Sequence, residues 1–272
     1  HLKNKEIKMK PKHIELLVSE KDLVTSDNKV VHIWRLESSD DEDLLTEWST
    51  HFRRHYCSDE DLDVLREGYG YTREQFLNEI KFPSCSALGN ATRSGDFCEI
   101  LVADFAQYIL NYYVPRTRYD RKVNPDSSTQ GSDMLGFKVG EKISSSDELL
   151  VFEVKGRATN VKPENRLQKA IDDSKKDVKR ITFSLNAIYQ RLLEKHEYDN
   201  AKKVQRFQNV TDRPYRTTFA AAAVQSDRSF SEELTKKVDT KEHIDPDIYL
   251  LVIHRKDLMD FIHELYRRAS KC

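Results

Sequence analysis

The run Leu149-Leu150-Val151-Phe152-Glu153-Val154-Lys155-Gly156 reads as an apolar strand that ends on two charges. Side chains alternate across a strand, so Glu153 and Lys155 share one face while Phe152 and Val154 share the other. Burying an isolated charge is costly, so a charged pair closing an apolar strand needs a partner or a chemical task. Taken alone, Glu-x-Lys is an ordinary ion pair at a strand end. The upstream run Gly131-Ser132-Asp133-Met134-Leu135-Gly136-Phe137 opens a second strand with another carboxylate. An antiparallel hairpin turning about Ile143 sets Asp133 directly opposite Glu153. Opposed like charges destabilise a sheet, and a cation between them removes the conflict. Mg²⁺ is a hard ion that takes a few carboxylates and keeps its waters, so Asp133 and Glu153 make a natural ligand pair. Glu99 is a third candidate. On a helix its same-face neighbours are Val102, Ala103 and Ala106, whereas the solvent face falls on Asp104, Gln107 and Asn111. That places Glu99 on the packed face; the alternative is a boundary position near the first turn, favoured by the helix dipole.

Around these residues the chain reads as an α/β protein. Residues 13–18 and 30–36 are expected as strands, and 40–54 and 59–80 as helices with acidic N-termini. Phe82-Pro83-Ser84-Cys85-Ser86 breaks the pattern, dividing an N-terminal α+β extension, residues 1–82, from a core, residues 83–272. In the core, 96–113 is expected as a helix, 116–122 as extended chain, and 132–139 and 149–155 as strands. Residues 163–195 are expected as one long helix, with a stripe at Leu167, Ile171, Ser174, Val178, Ile181, Leu185, Ile188 and Leu192. Residues 215–224 and 248–254 follow as strands, the second apolar enough to be covered on both faces, and 256–268 as a last helix. The whole is a mixed central sheet flanked by helices.

Basic residues cluster in two places. Lys162, Arg166, Lys169, Lys175, Lys176, Lys179 and Arg180 make the first half of the long helix basic, with Asp172, Asp173 and Asp177 interleaved. This is a solvated helix face or a surface for sequence-neutral contact with a phosphate backbone. Arg118, Arg121 and Lys122 suit the same purpose at the mouth of a site, and Gln168 is either a contact to the site or a surface residue. The histidines show no spacing that suggests a ligand set or a triad.

A helix Glu, a strand Asp and then Glu-Val-Lys ending a second strand resemble the PD-(D/E)XK nuclease superfamily, although Ser132 stands where that motif has Pro. Within it, Gly95-Asp96-Phe97-Cys98-Glu99, Arg118-Tyr119-Asp120-Arg121-Lys122, Gln130-Gly131-Ser132-Asp133 and Phe152-Glu153-Val154-Lys155-Gly156-Arg157-Ala158-Thr159 are similar to the HamA family, nuclease subunits of Hachiman anti-phage defence. Cys98 occupies a position where a small residue such as Gly is expected. The resemblance implies a restriction-endonuclease-like core and Mg²⁺-dependent cleavage of DNA, with Mn²⁺ as a substitute. It implies Asp133 and Glu153 as direct metal ligands, helped by the Val154 carbonyl, with Glu99 as a third ligand or acting through a water. Lys155 would position or deprotonate the attacking water and offset phosphate charge. Arg118, Arg121, Lys122, Gln168 and Lys169 are the candidate DNA contacts. The implied role is a low-specificity effector held in check by a helicase, HamB. A sequence-specific restriction endonuclease and a catalytically inactive interaction module are the alternatives.

Composition bounds these readings. With 45 Lys and Arg against 46 Asp and Glu, the net charge of −1 gives no global pull toward nucleic acid, so DNA contact needs a local basic surface or a partner. No G-x-x-x-x-G-K-[ST] occurs, so an ATP motor must come from another chain. Cys57, Cys85, Cys98 and Cys272 include no C-x-x-C pair and are expected as reduced thiols. No apolar run is long enough for a membrane span. The basic start, residues 1–10, lacks a signal-peptide core, and the expected compartment is the cytoplasm.

Overall fold

The computed structural model describes residues 10–272; almost all of the basic start lies outside them. A 3₁₀ turn, Lys12–Leu16, leads into β1 (Leu17–Ser19), β2 (Leu23–Val24) and β3 (Val30–Leu36). Most of the strand expected over 13–18 is therefore this turn, which buries His13 and Ile14. Helix α1 (Glu42–Arg53) is capped by the Asp41 carboxylate, which accepts from the Asp43 and Leu44 amides. The helix expected over 59–80 is split into α2 (Asp59–Glu67), α3 (Arg73–Phe76) and a π turn, Leu77–Lys81. Gly70 takes φ +65°, which ends the helical path, and Thr72 restarts it in a capping box with Gln75.

Helix α4 (Ala87–Tyr108) begins earlier than expected because Ser86 caps it, accepting from the Gly89 amide at 3.0 Å. It ends before Asn111, which turns left-handed at φ 61°. No strand forms over 116–122. Residues 111–133 are an irregular loop tied to the sheet by one bridge, Tyr113 to Phe137. The hairpin of β4 (Met134–Lys138) and β5 (Glu148–Arg157) has the expected register, Met134 facing Phe152 and Phe137 facing Leu149. The expected long helix is broken at Lys175-Lys176 into α5 (Arg166–Ser174) and α6 (Asp177–Glu194), followed by α7 (Tyr198–Gln205). At the break, buried Ser174 bonds its own Ile171 carbonyl and His243, and the Lys176 amide closes a short turn on the Asp173 carbonyl. Val178, placed on the apolar stripe by sequence, is turned out to solvent, while Asp177 is turned in. Then follow β6 (Arg216–Ser226), α8 (Glu232–Lys236), β7 (Tyr249–Arg255) and α9 (Leu258–Ala269).

Among the described residues the strands form one seven-stranded mixed sheet, in the order β1-β3-β7-β6-β5-β4, with β2 also on β3. Strands β5, β6, β7 and β3 run parallel; β4, β1 and β2 are antiparallel to their neighbours. Each face carries its own core. Leu150, Phe152, Val154, Ala222 and Leu251 pack with α1, α4 and α9. Leu149, Val151, Leu135, Ala221 and Val252 pack with α5, α6 and α7. The change of pattern at residue 82 does not interrupt the sheet: β3 pairs with β7, and Trp48, Phe52 and Tyr56 share a core with α4 and α9.

At Gly156 strand β5 lies close against α4. A Cβ there would stand 2.7 Å from Cys98 Sγ, inside contact distance. Gly156→Ala is expected to lower unfolding stability by about 1–3 kcal/mol through overpacking. Adding Cys98→Ala should recover most of it in urea melts; an unrescued loss would place the strain elsewhere.

Candidate active site

The parallel core ends where β5 outruns β4. Asp133, one residue before β4, lies in register with Glu153, so Asp133, Glu153 and Lys155 share the face covered by α5 and α6. Asp133 Oδ2 accepts the Val154 amide at 2.9 Å. In an extended strand a residue's N–H and C=O point to the same edge, so the Val154 carbonyl faces this opening too. Gly131, at φ +96°, turns the chain into the site, and the Ser132 amide donates to Ser184 Oγ on α6 at 3.0 Å.

Glu153 is almost fully buried, with its side chain 4% exposed. Its Oε1 lies 2.5 Å from Lys155 Nζ, which also reaches Asp173 Oδ2 at 3.0 Å. Burial works against the charged form of Lys155, yet its bonds to Glu153 and Asp173 hold its pKa above the ordinary value. Burial, then the neighbouring carboxylates of Glu99 and Glu153, push the Asp133 carboxyl well above the usual range, against Arg118 and the Val154 amide.

Glu99 approaches from α4, on the other face of the sheet. It meets Asp133 through one guanidinium: Arg118 Nε donates to Glu99 Oε2 at 2.7 Å and Nη2 to Asp133 Oδ1 at 3.2 Å, while Nη1 donates to the Ser132 carbonyl at 2.5 Å. Tyr119 also donates to Glu99 Oε2, at 2.6 Å. Glu99, Asp133 and Glu153 therefore do not each bring an oxygen within 4.8 Å of the others. Beside them, a cleft of about 580 Å³ runs between the 111–133 loop and α6, walled by Glu99, Arg118, Asp133, Ser184 and Arg191 among others. Asp133 lines this cleft; Glu153 and Lys155 do not.

The chain matches the HamA family over residues 11–269. It belongs to that family. Membership associates it with Hachiman anti-phage defence; no curated protein matches it. In this HamA chain the candidate DNA contacts are placed unequally. Arg118 is committed to Glu99 and Asp133, and Lys122 is buried 2.5 Å from Asp96. Arg121 lines the cleft but pairs with Glu194 at 2.5 Å. Gln168 turns away from the site: its amide holds the Asp239 backbone at 2.9 and 3.1 Å. Lys169 is exposed on α5.

Two acidic residues of the site were hidden in the charge run of the long helix. Asp173 pairs with Lys155, and Asp177 is 0% exposed beside Glu153. Asp177 falls three residues after the buried Ser174 and four before Ile181, a spacing as compatible with the buried face as that of Val178, and the break in the helix decides between them. The histidines also converge, from positions whose spacing shows nothing. Asp104, expected on the solvent face of its helix, is fully buried: His13 Nε2 and His51 Nε2 lie 3.0 and 3.1 Å from its two oxygens, and Arg116 donates to Oδ1 at 2.7 Å. These are the described residues that place three potential metal donors within 4.8 Å of one another. Arg116 already supplies the cation, and each imidazole bonds the carboxylate, so this hub is closed by protein groups.

Proposed function

We propose that this HamA chain is a Mg²⁺-dependent deoxyribonuclease of the PD-(D/E)XK type. The observation that carries the reading is the in-register pair Asp133–Glu153 with Lys155 on the same face. A divalent ion suits this donor set: the residues are hard oxygen donors, and Glu153 Oε2 is buried without a hydrogen-bond partner. Asp133 and Glu153 would hold it, with the Val154 carbonyl at the same edge; Glu99 would join if Arg118 withdrew. When bound, the ion acidifies water and offsets charge on the phosphate. Lys155, anchored on Glu153 and Asp173, is placed to orient the attacking water and to neutralise a phosphoryl oxygen. Ser184 holds the Ser132 backbone and so steadies Asp133.

The role that follows is a low-specificity effector governed by a helicase partner, HamB. The charge pairing supports it: Arg118, Arg121 and Lys122 are each tied to a carboxylate, so these three offer DNA a weak grip. The test is Mg²⁺-dependent degradation of unrelated plasmids by the chain with and without its partner. A smear that disappears in Glu153→Ala supports the reading; discrete bands point to restriction. Cleavage unchanged in Glu153→Ala combined with Lys155→Ala sinks the assignment.

A further inference from the structure

Asp177 opens α6 with no exposed surface, and neither of its carboxylate oxygens has a hydrogen-bond partner. Glu153 Oε2 is orphaned in the same way. The two residues face one group in common: Arg180 Nη1 stands 3.9 Å from Glu153 Oε2 and 4.0 Å from Asp177 Oδ1, beyond hydrogen-bond length from both. Lys155 does not serve them, since it takes the other oxygen of Glu153 and Asp173. Three buried oxygens on two acidic residues are thus left without a well-formed hydrogen bond, although the Ser132 hydroxyl is within reach of Asp177 and favours its charged form. Each unsatisfied buried polar group carries a desolvation cost that proteins seldom leave uncompensated. The chain breaks its helix at Lys175-Lys176 and turns Val178 outward to put Asp177 there.

From this geometry we propose that Asp177 is a further ligand of the divalent-cation centre, holding the ion together with Glu153 Oε2 on the α6 side of the sheet. The proposal rests on the metal-centre reading above and extends it to a residue outside the strand–strand motif. Two carboxylates suffice for Mg²⁺ or Mn²⁺, which fill their remaining positions with water. Glu153 would then face two ways, toward Asp133 across the hairpin and toward Asp177 on the helix. Arg180, 40% exposed at its side chain, has room to withdraw when a cation arrives.

The test is Mn²⁺ binding to the full chain, read by the electron paramagnetic resonance of free Mn²⁺ and by the rise in melting temperature that Mn²⁺ produces. Asp177→Asn keeps the shape and removes the charge. The expected result is Mn²⁺ affinity weaker by at least about tenfold and a smaller Mn²⁺-induced rise in melting temperature. If Asp177 instead shares a proton with Glu153, the amide replaces the neutral acid and Mn²⁺ binding is unchanged, which overturns the proposal. Asp177→Ser is the second variant should the amide disturb folding, with the same two outcomes. Asp133→Asn separates the two readings. Loss of Mn²⁺ binding there but not in Asp177→Asn defeats this inference alone, and absence of Mn²⁺ binding by the wild type defeats both.

Discussion

Lys155→Met is expected to lower Mg²⁺-dependent DNA cleavage about a thousandfold, near the middle of the range for losing a positioned acid–base group, or about 4 kcal/mol of barrier. The side chain is half-buried and held at both ends, by Glu153 at 2.5 Å and Asp173 at 3.0 Å, so its amine is fixed in place rather than free to be replaced by another lysine. Methionine keeps the length of the stem and removes the charge. Because Lys155 also competes for Glu153 Oε1, its removal frees an oxygen, and Mn²⁺ should bind Lys155→Met as tightly as wild type or more tightly. That divergence separates Lys155 from the ligands: Glu153→Ala should lose both cleavage and metal. Equal loss of metal affinity in the two variants would mean that Lys155 only holds Glu153, and its assigned role in positioning the water would fall.

How much of this was legible follows the range of the forces involved. The pairing of Asp133 with Glu153 could be read because the strand period is two and the hairpin is local, so register is set within one short stretch. The sheet order could be anticipated only as a class, since the pairing of β3 with β7 joins residues on opposite ends of the chain. Asp177 escaped because a broken helix shifts the buried face by one residue, exchanging Val178 for its neighbour, and the break depends on contacts with His243. Arg118 reads in the sequence as a candidate DNA contact; the loop that carries it has no periodicity, and only the folded chain shows it bridging Glu99 and Asp133. Gln168 reads in the sequence as either a site contact or a surface residue, and Asp239 from a distant loop decides its place. The hub around Asp104 draws on residues 13, 51, 55 and 116, a set no spacing rule connects.

That hub carries the largest expected effect on stability. Asp104 is fully buried and receives His13, His51 and Arg116 from three separate segments, tying the 3₁₀ turn, α1 and the 111–133 loop to α4. Although burial opposes the charge, His51 and Arg116 hold the Asp104 carboxyl well below its usual range. Asp104→Asn leaves the guanidinium without its anion, and removing one partner of a buried pair costs about 3–5 kcal/mol. The same hub fixes a response to acid. Burial, reinforced for His55 by Arg116, depresses the pKa of both His13 and His55. Below about pH 6.5 the unfolded chain takes up protons that the folded chain refuses. The stability these residues contribute is therefore complete above that pH and lost as pH falls toward their folded values, by at most about 1.4 kcal/mol per pH unit for each histidine. Asp104 adds nothing in that window, because its own contribution fades only below the ordinary carboxylate range. Asp133 and Asp177 pull the other way: their pKa is raised, to about 7 for Asp177, so each costs stability as pH rises toward its folded value. Comparing His55→Gln with wild type removes those carboxylates from the difference. The wild type should lose more stability than the variant between pH 7.5 and 5.5 in urea melts, and equal slopes would show that His55 is protonated in the folded chain.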